Sequence, residues 1–217
     1  MKLYKKIIAW AILSIILQIG GLFVLDNFVF KHSSKFKSNK IDIEKQNTKD
    51  INVIIPNGAE NVNISYNGKY LTYYENDTLY IEESKTGTKT EVKTEDNGEI
   101  LYYKWLSDRD RLIIAEKVVK DGETVIQLIT YSPKDSSVSY VTSICDYEDD
   151  MKVMKITEST FTSVYYVDIY RGGLKSMVYR IDINNDKSKV SLQASVLGNM
   201  QVIPHVDRLV YEDEINN

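Results

Sequence analysis

A single cysteine, Cys145, in 217 residues excludes an intrachain disulfide and any multi-cysteine metal site. Histidine occurs only at His32 and His205, so a Ser-His-Asp hydrolase would have two candidates for its base. No G-x-S-x-G stretch exists to present a nucleophilic serine on a sharp turn. Proline is also scarce, with three residues, whereas tyrosine is abundant, with sixteen. Tyrosine favours strands, because its flat ring packs on a pleated surface while its hydroxyl reaches water.

A basic stripe is missing as well. Nine of the 27 basic residues and four of the 31 acidic ones fall in the first fifty positions. The remainder therefore carries eighteen against twenty-seven, a formal charge of −9. Neutralising phosphate is the main source of nucleic-acid affinity, so such a domain is a poor candidate for that partner. No nucleic acid is expected.

What is present begins with a membrane signal. After the basic head Met1–Lys6, the run Ile7–Leu25 has only Ser14 and Gln18 as polar side chains. A helix of about 20 such residues spans the ~30 Å hydrocarbon core. A signal-peptide core is usually shorter and ends at a small-x-small site, which is not found here. Residues 1–30 are read as an uncleaved anchor. Lysines flank both ends, so the positive-inside rule is close to a tie. The layout of a small basic head, an apolar run and a large domain places the C-terminal part outside the cytoplasm. Residues 31–50 lack the apolar content for a core and read as a tether.

Residues 51–217 read as an all-β domain. Asn52–Ile55 is a short β-rich run. The unit Ser65–Gly87 then sets a grammar of strand, turn, strand, turn. Its strands are Val62–Tyr66, Tyr70–Tyr74, Thr78–Ile81 and Thr88–Lys93, with Asn67-Gly68 as a hairpin turn of positive φ. A second copy has strands Leu101–Leu106, Arg111–Val118, Thr124–Tyr131 and Ser137–Ile144. The third has Lys152–Thr157, Thr162–Tyr170, Leu174–Ile183 and Ser188–Val196. A fourth opens with Met200–Ile203 and Arg208–Tyr211. The second strands begin near Lys69, Arg111, Phe161 and Arg208, spacings of 42, 50 and 47. Four-stranded repeats of roughly 40–50 residues point to propeller blades. The blades are expected at 57–98, 99–147, 151–197 and, in part, 198–217.

These residues resemble the blades of TolB-like and dipeptidyl-peptidase-type β-propellers. That pattern is Ser-x-Asp-Gly-Lys-x-Leu, an aromatic strand, and a strand ending near Asp-x-x-Thr-Gly. Ser65-Tyr66-Asn67-Gly68-Lys69-Tyr70-Leu71 with Ser84-Lys85-Thr86-Gly87 fits well. Trp105-Leu106-Ser107-Asp108 with Arg111-Leu112 fits in part. The third copy has Glu158–Phe161 in place of the motif, and the fourth keeps Asp207-Arg208-Leu209. The resemblance implies a partial or small propeller-like array of four-stranded antiparallel sheets behind one transmembrane helix. Function does not follow from it, since propellers host unrelated activities. Closed propellers usually have four to eight blades. Three and a half copies leave an edge, which invites self-association or a protein partner unless Asn52–Ile55 completes the last sheet.

Chemistry-bearing residues are sparse. His32 lies in the tether, and His205 follows Pro204 where a structural or surface role is expected. Asp182–Asp186 resembles half a calcium loop but has Lys187 and Gln193 where glycine and glutamate belong, so it reads as an Asn/Asp turn. Asp146, Glu148, Asp149 and Asp150 read as a solvated linker. Trp105 is expected in the core, and Tyr102-Tyr103 is the alternative ligand shelf. Asn63–Ser65 and Asn76–Thr78 match the N-glycosylation pattern in strand and turn contexts. No catalytic, metal or cofactor residue is assigned, and no ligand is named. The expectation is a non-enzymatic, membrane-anchored module that binds protein. Its alternatives are a substrate-recognition accessory of a membrane peptidase and a binder of cell-surface glycan.

Overall fold

The computed structural model describes residues 2–25, 53–94, 97–173 and 175–214. The chain divides into two compact units, Met1–Gln46 and Asn47–Asn217. The first is built on one helix, α1 (Lys2–Val24). Its stretch Tyr4–Val24 is long and apolar enough to cross a membrane. The apolar side chains point in every direction rather than along one stripe, and all the described ones are exposed. Phe28–Phe30, the expected tether and residues 51–52 lie outside the described residues.

The second unit is β-structure in strict chain order. Sheet 1 comprises β1 (Glu60–Ile64), β2 (Tyr70–Glu75), β3 (Thr78–Glu83) and β4 (Lys89–Glu91). In sheet 2 are β5 (Glu99–Trp105), β6 (Leu112–Lys120), β7 (Glu123–Ser132) and β8 (Ser137–Asp146). Sheet 3 contains β9 (Lys152–Ser159), β10 (Val164–Tyr170), β11 (Ser176–Ile181) and β12 (Lys187–Lys189). Sheet 4 has two strands, β13 (Leu197–Val202) and β14 (Leu209–Asp213). Every pairing is antiparallel between consecutive strands, so each sheet is a meander.

The sheets pack face to face in the same order. Leu112 and Ile114 turn toward sheet 1, meeting Tyr70, Leu79 and Ile81. Their neighbours Ile113 and Ala115 turn the other way, onto Val153, Ile156 and Val167 of sheet 3. Sheet 2 is thus covered on both faces, and β6 therefore opens on a continuous apolar run, Leu112–Ala115, rather than an alternating one. Sheet 3 repeats the device with Val164, Tyr166 and Val178 against Leu197, Met200 and Val202. On one side the first strands meet, β5 beside β9 and β9 beside β13. Successive blades with their first strands side by side give a propeller-like array.

Turn chemistry sets the registers. Asn76 and Asp77 take φ of 50° and 60°, and Asp121 and Gly122 take 51° and 85°, the double positive φ of a tight hairpin. Asn67-Gly68 departs from expectation, since only Gly68 has positive φ (73°). Asn67 acts instead through its side chain, whose Oδ1 accepts from Ser65 Oγ at 3.1 Å and from Lys69 N at 2.9 Å. Ser65 Oγ in turn accepts from Tyr70 N at 3.1 Å. The Ser-x-Asn-Gly-Lys motif is a self-bonded loop, and β1 ends one residue before it.

Three other expectations change. Val53–Ile55, the described part of the run Asn52–Ile55, forms no strand, so it does not complete sheet 4. The strand expected to reach Ile183 stops at Ile181, because Asp182 turns the chain. Its Oδ1 accepts from Asn184 N at 2.9 Å and Asp186 N at 3.0 Å. The expected strand Ser188–Val196 shrinks to Lys187–Lys189. Beyond it the chain leaves β11 after Val190 N bonds Val178 O, and Ser176 N reaches across to Ser195 O at 2.7 Å.

Loops bind each sheet to the next. Asn67 Nδ2 donates to Asp110 Oδ2 at 2.9 Å. Ser107 donates to Glu158 Oε1 through its backbone N and its hydroxyl, at 2.7 and 2.6 Å. Ser159 Oγ donates to Pro204 O at 2.9 Å. Glu158, in the copy that lacks the motif, is the acceptor that keeps this chain of latches continuous.

Candidate functional site: an axial cleft

Where the first strands converge, the array leaves a cleft of about 400 Å³. Its walls come from all four sheets. Sheet 1 supplies Asn61, Asn63 and Tyr74, and sheet 2 supplies Leu101–Lys104. Lys155 and Ile156 come from β9, and Gln201 from β13. This volume is within the usual range for ligand clefts.

The polar positions follow the repeat. Ser65 N bonds Tyr70 O, Leu106 N bonds Arg111 O, and Ile203 N bonds Arg208 O, closing equivalent loops. Asn63, Lys104 and Gln201 each lie two residues before such a loop, on the face that looks into the cleft. A polar residue recurring two positions before the loop in three of the four first strands is the sequence signal for this site. Of the cleft residues, only Tyr102, Tyr103 and Asn63 were singled out from sequence.

One wall is held rigidly. Asn61 takes φ of 52° at an irregularity in the β1–β2 register, which aims its carbonyl inward. That carbonyl accepts from the Tyr103 hydroxyl and from Asn63 Nδ2, the latter at 2.9 Å. Asn63 Nδ2 also approaches the Tyr103 hydroxyl at 3.1 Å. Tyr74 packs on Tyr103 with ring centroids 5.6 Å apart. Burial, and then the neighbouring Tyr103, push the Tyr74 phenol up to about 12, so it stays neutral. Burial also raises Tyr102, against an opposing bond from the Ile156 backbone.

The opposite wall is cationic. Burial pulls the Lys104 ammonium below the ordinary lysine range; Glu158 opposes this, and Lys155 adds to it. Among the described residues, neither lysine makes an ion pair or a hydrogen bond, and no carboxylate lines the cleft. Chemically, the arrangement offers two unpaired ammonium groups, three side-chain amides and apolar walls.

The other singled-out residues lie elsewhere. Trp105 is buried between sheets 1 and 2, stacked on Tyr70 at 6.1 Å, with its Nε1 donating to Thr72 Oγ1 at 3.0 Å. His205 sits in the exposed β13–β14 loop, with its ring 4.5 Å from Phe161. Cys145 is half-buried on β8, and burial raises its thiol. Glu148 is paired with Arg171 at 2.8 Å, and the carboxylate of Asp182 is taken up by its own turn. Asn76 is exposed at the β2–β3 turn.

No family model matches the chain, and no curated protein matches it. Solved structures similar to it include three from different proteins. The tricorn protease has 10% identity and a TM-score of 0.47, over 66% of this chain and 18% of that one. A putative TolB from Agrobacterium tumefaciens has 14% identity and a TM-score of 0.33, over 72% and 70%. The WD40 domain of SCAP from fission yeast has 12% identity and a TM-score of 0.40, over 73% and 41%. The chain therefore spans less than half the length of two of these three.

Proposed function

We propose that this chain is a membrane-anchored, extracytoplasmic and non-enzymatic propeller-like scaffold that binds a segment of another protein in its axial cleft. The observation that carries this is the convergence of four first strands on one cleft whose lining includes two lysines without an ion-pair partner among the described residues. Repeat scaffolds present such concave surfaces to partners. Helix α1 supplies the anchor, with the second unit outside the cytoplasm. A second contact surface is the free edge of β14, which among the described strands pairs only with β13 and suits self-association.

The test is recovery of partners by the full-length chain from solubilised membranes, beside Gln201→Trp. Gln201 is exposed at the cleft mouth, so the indole fills the cleft without entering the core. A protein enriched by the wild type and lost with the variant supports the reading; identical recovery by both contradicts it. If the partner is a peptidase, the role is substrate recognition for that enzyme.

A further inference from the structure

The cleft's charge identifies the kind of segment it takes. We propose that it receives an acidic peptide, with a carboxylate seated between Lys104 and Lys155. This rests on the protein-binding reading above and adds its chemistry. Residues 51–217 carry a formal charge of −9, yet the cleft has two lysines and no acidic side chain. It is a local cationic spot in an acidic domain. Glu158 acts on Lys104 from beyond ion-pair distance and only partly offsets the lost hydration, so an incoming carboxylate in direct contact recovers more there than at an exposed lysine. Glu158 makes no direct ion pair with either lysine; its Oε1 accepts both bonds from Ser107, at the edge of the loop and outside the cleft lining.

The rest of the lining suits a peptide rather than a bare anion. Leu101, Ile156 and Tyr74 form apolar walls, and the Gln201 amide and the Asn63 Oδ1 remain as partners for a peptide backbone. Asn61, Asn63 and Tyr103 are bonded to one another before anything arrives, which lowers the ordering cost of binding.

The experiment uses the full-length chain in detergent micelles. Fluorescence anisotropy compares a short labelled peptide of alternating Glu and Ala with the same peptide carrying Gln for Glu. The expected result is tighter binding of the Glu peptide by about tenfold or more, the usual scale for a charge-assisted hydrogen bond. Lys104→Gln and Lys155→Gln should each remove most of that preference. Lys155→Arg should keep it, and Lys134→Gln, on an exposed turn of sheet 2, should leave it unchanged. Melting curves of the variants control for folding. Equal affinity for the two peptides would overturn the acidic specificity while leaving the scaffold reading intact. Binding of neither peptide, or a Glu preference that survives both Gln substitutions, would overturn it as well.

Discussion

Asp168 is the residue whose chemistry is least settled by its neighbours. It is 1% exposed, between sheets 3 and 4, and its Oδ1 has no hydrogen-bond partner. Burial raises its pKa to about 6, against a smaller opposing bond from Ser176. An unfolded aspartate titrates near 3.9. The folded value lies above that, so the group costs nothing below about pH 4, and the penalty grows until pH passes 6. The full cost is of order 3 kcal/mol. Asp168→Asn is therefore expected to raise the melting temperature at pH 7.5, with the gain gone at pH 4. A variant less stable than wild type at pH 7.5 would contradict this. Trp105 gives a second case at this scale. Thr72→Val leaves its buried indole N–H without the acceptor 3.0 Å away, at a cost of about 1–3 kcal/mol in a denaturant titration. Trp105 as a core residue was legible, because it alternates with inward neighbours in an aromatic strand. Lys104 one position earlier was not, because which face of a strand lines a cavity depends on how sheets are stacked.

Among the elements, sheet 4 packs its apolar face on sheet 3, and a few polar bonds fasten its loop. Tyr166 donates to Asp207 Oδ1 at 2.6 Å, and Arg180 Nε donates to Oδ2 at 2.7 Å. Those two bonds, with the Ser159–Pro204 latch, fix the β13–β14 loop. Asp207→Ala is expected to speed amide exchange across 197–213 by roughly tenfold, leaving β6 and β7 protected. Equal acceleration in all four sheets would contradict an independent latch. At the turns, Gly122 has φ of 85°, and Gly122→Ala should cost about 1 kcal/mol. Strand order and most turns were legible here, since Asn-Asp and Asp-Gly fix hairpins locally. The failures fall where tertiary bonds intervene. Asn67 spends its side chain rather than its φ, and the chain after Val190 leaves β11, where Ser176 bonds Ser195 across the gap.

For the whole molecule, the array is organised around the side where first strands meet; Ser65–Gly87 keeps the repeat motif best, whereas the longest strands lie in sheet 2. Orientation has its own check. Protease added to intact cells is expected to cleave the second unit; full protection would contradict an extracytoplasmic domain. The most direct test of the account is site-specific photo-crosslinking in living cells. A photo-reactive residue at Gln201, on the cleft, is compared with one at Val119, which is 67% exposed and away from it. A discrete crosslinked protein is expected from Gln201 and none from Val119. A crosslink from Val119 alone, or none from either, would contradict it.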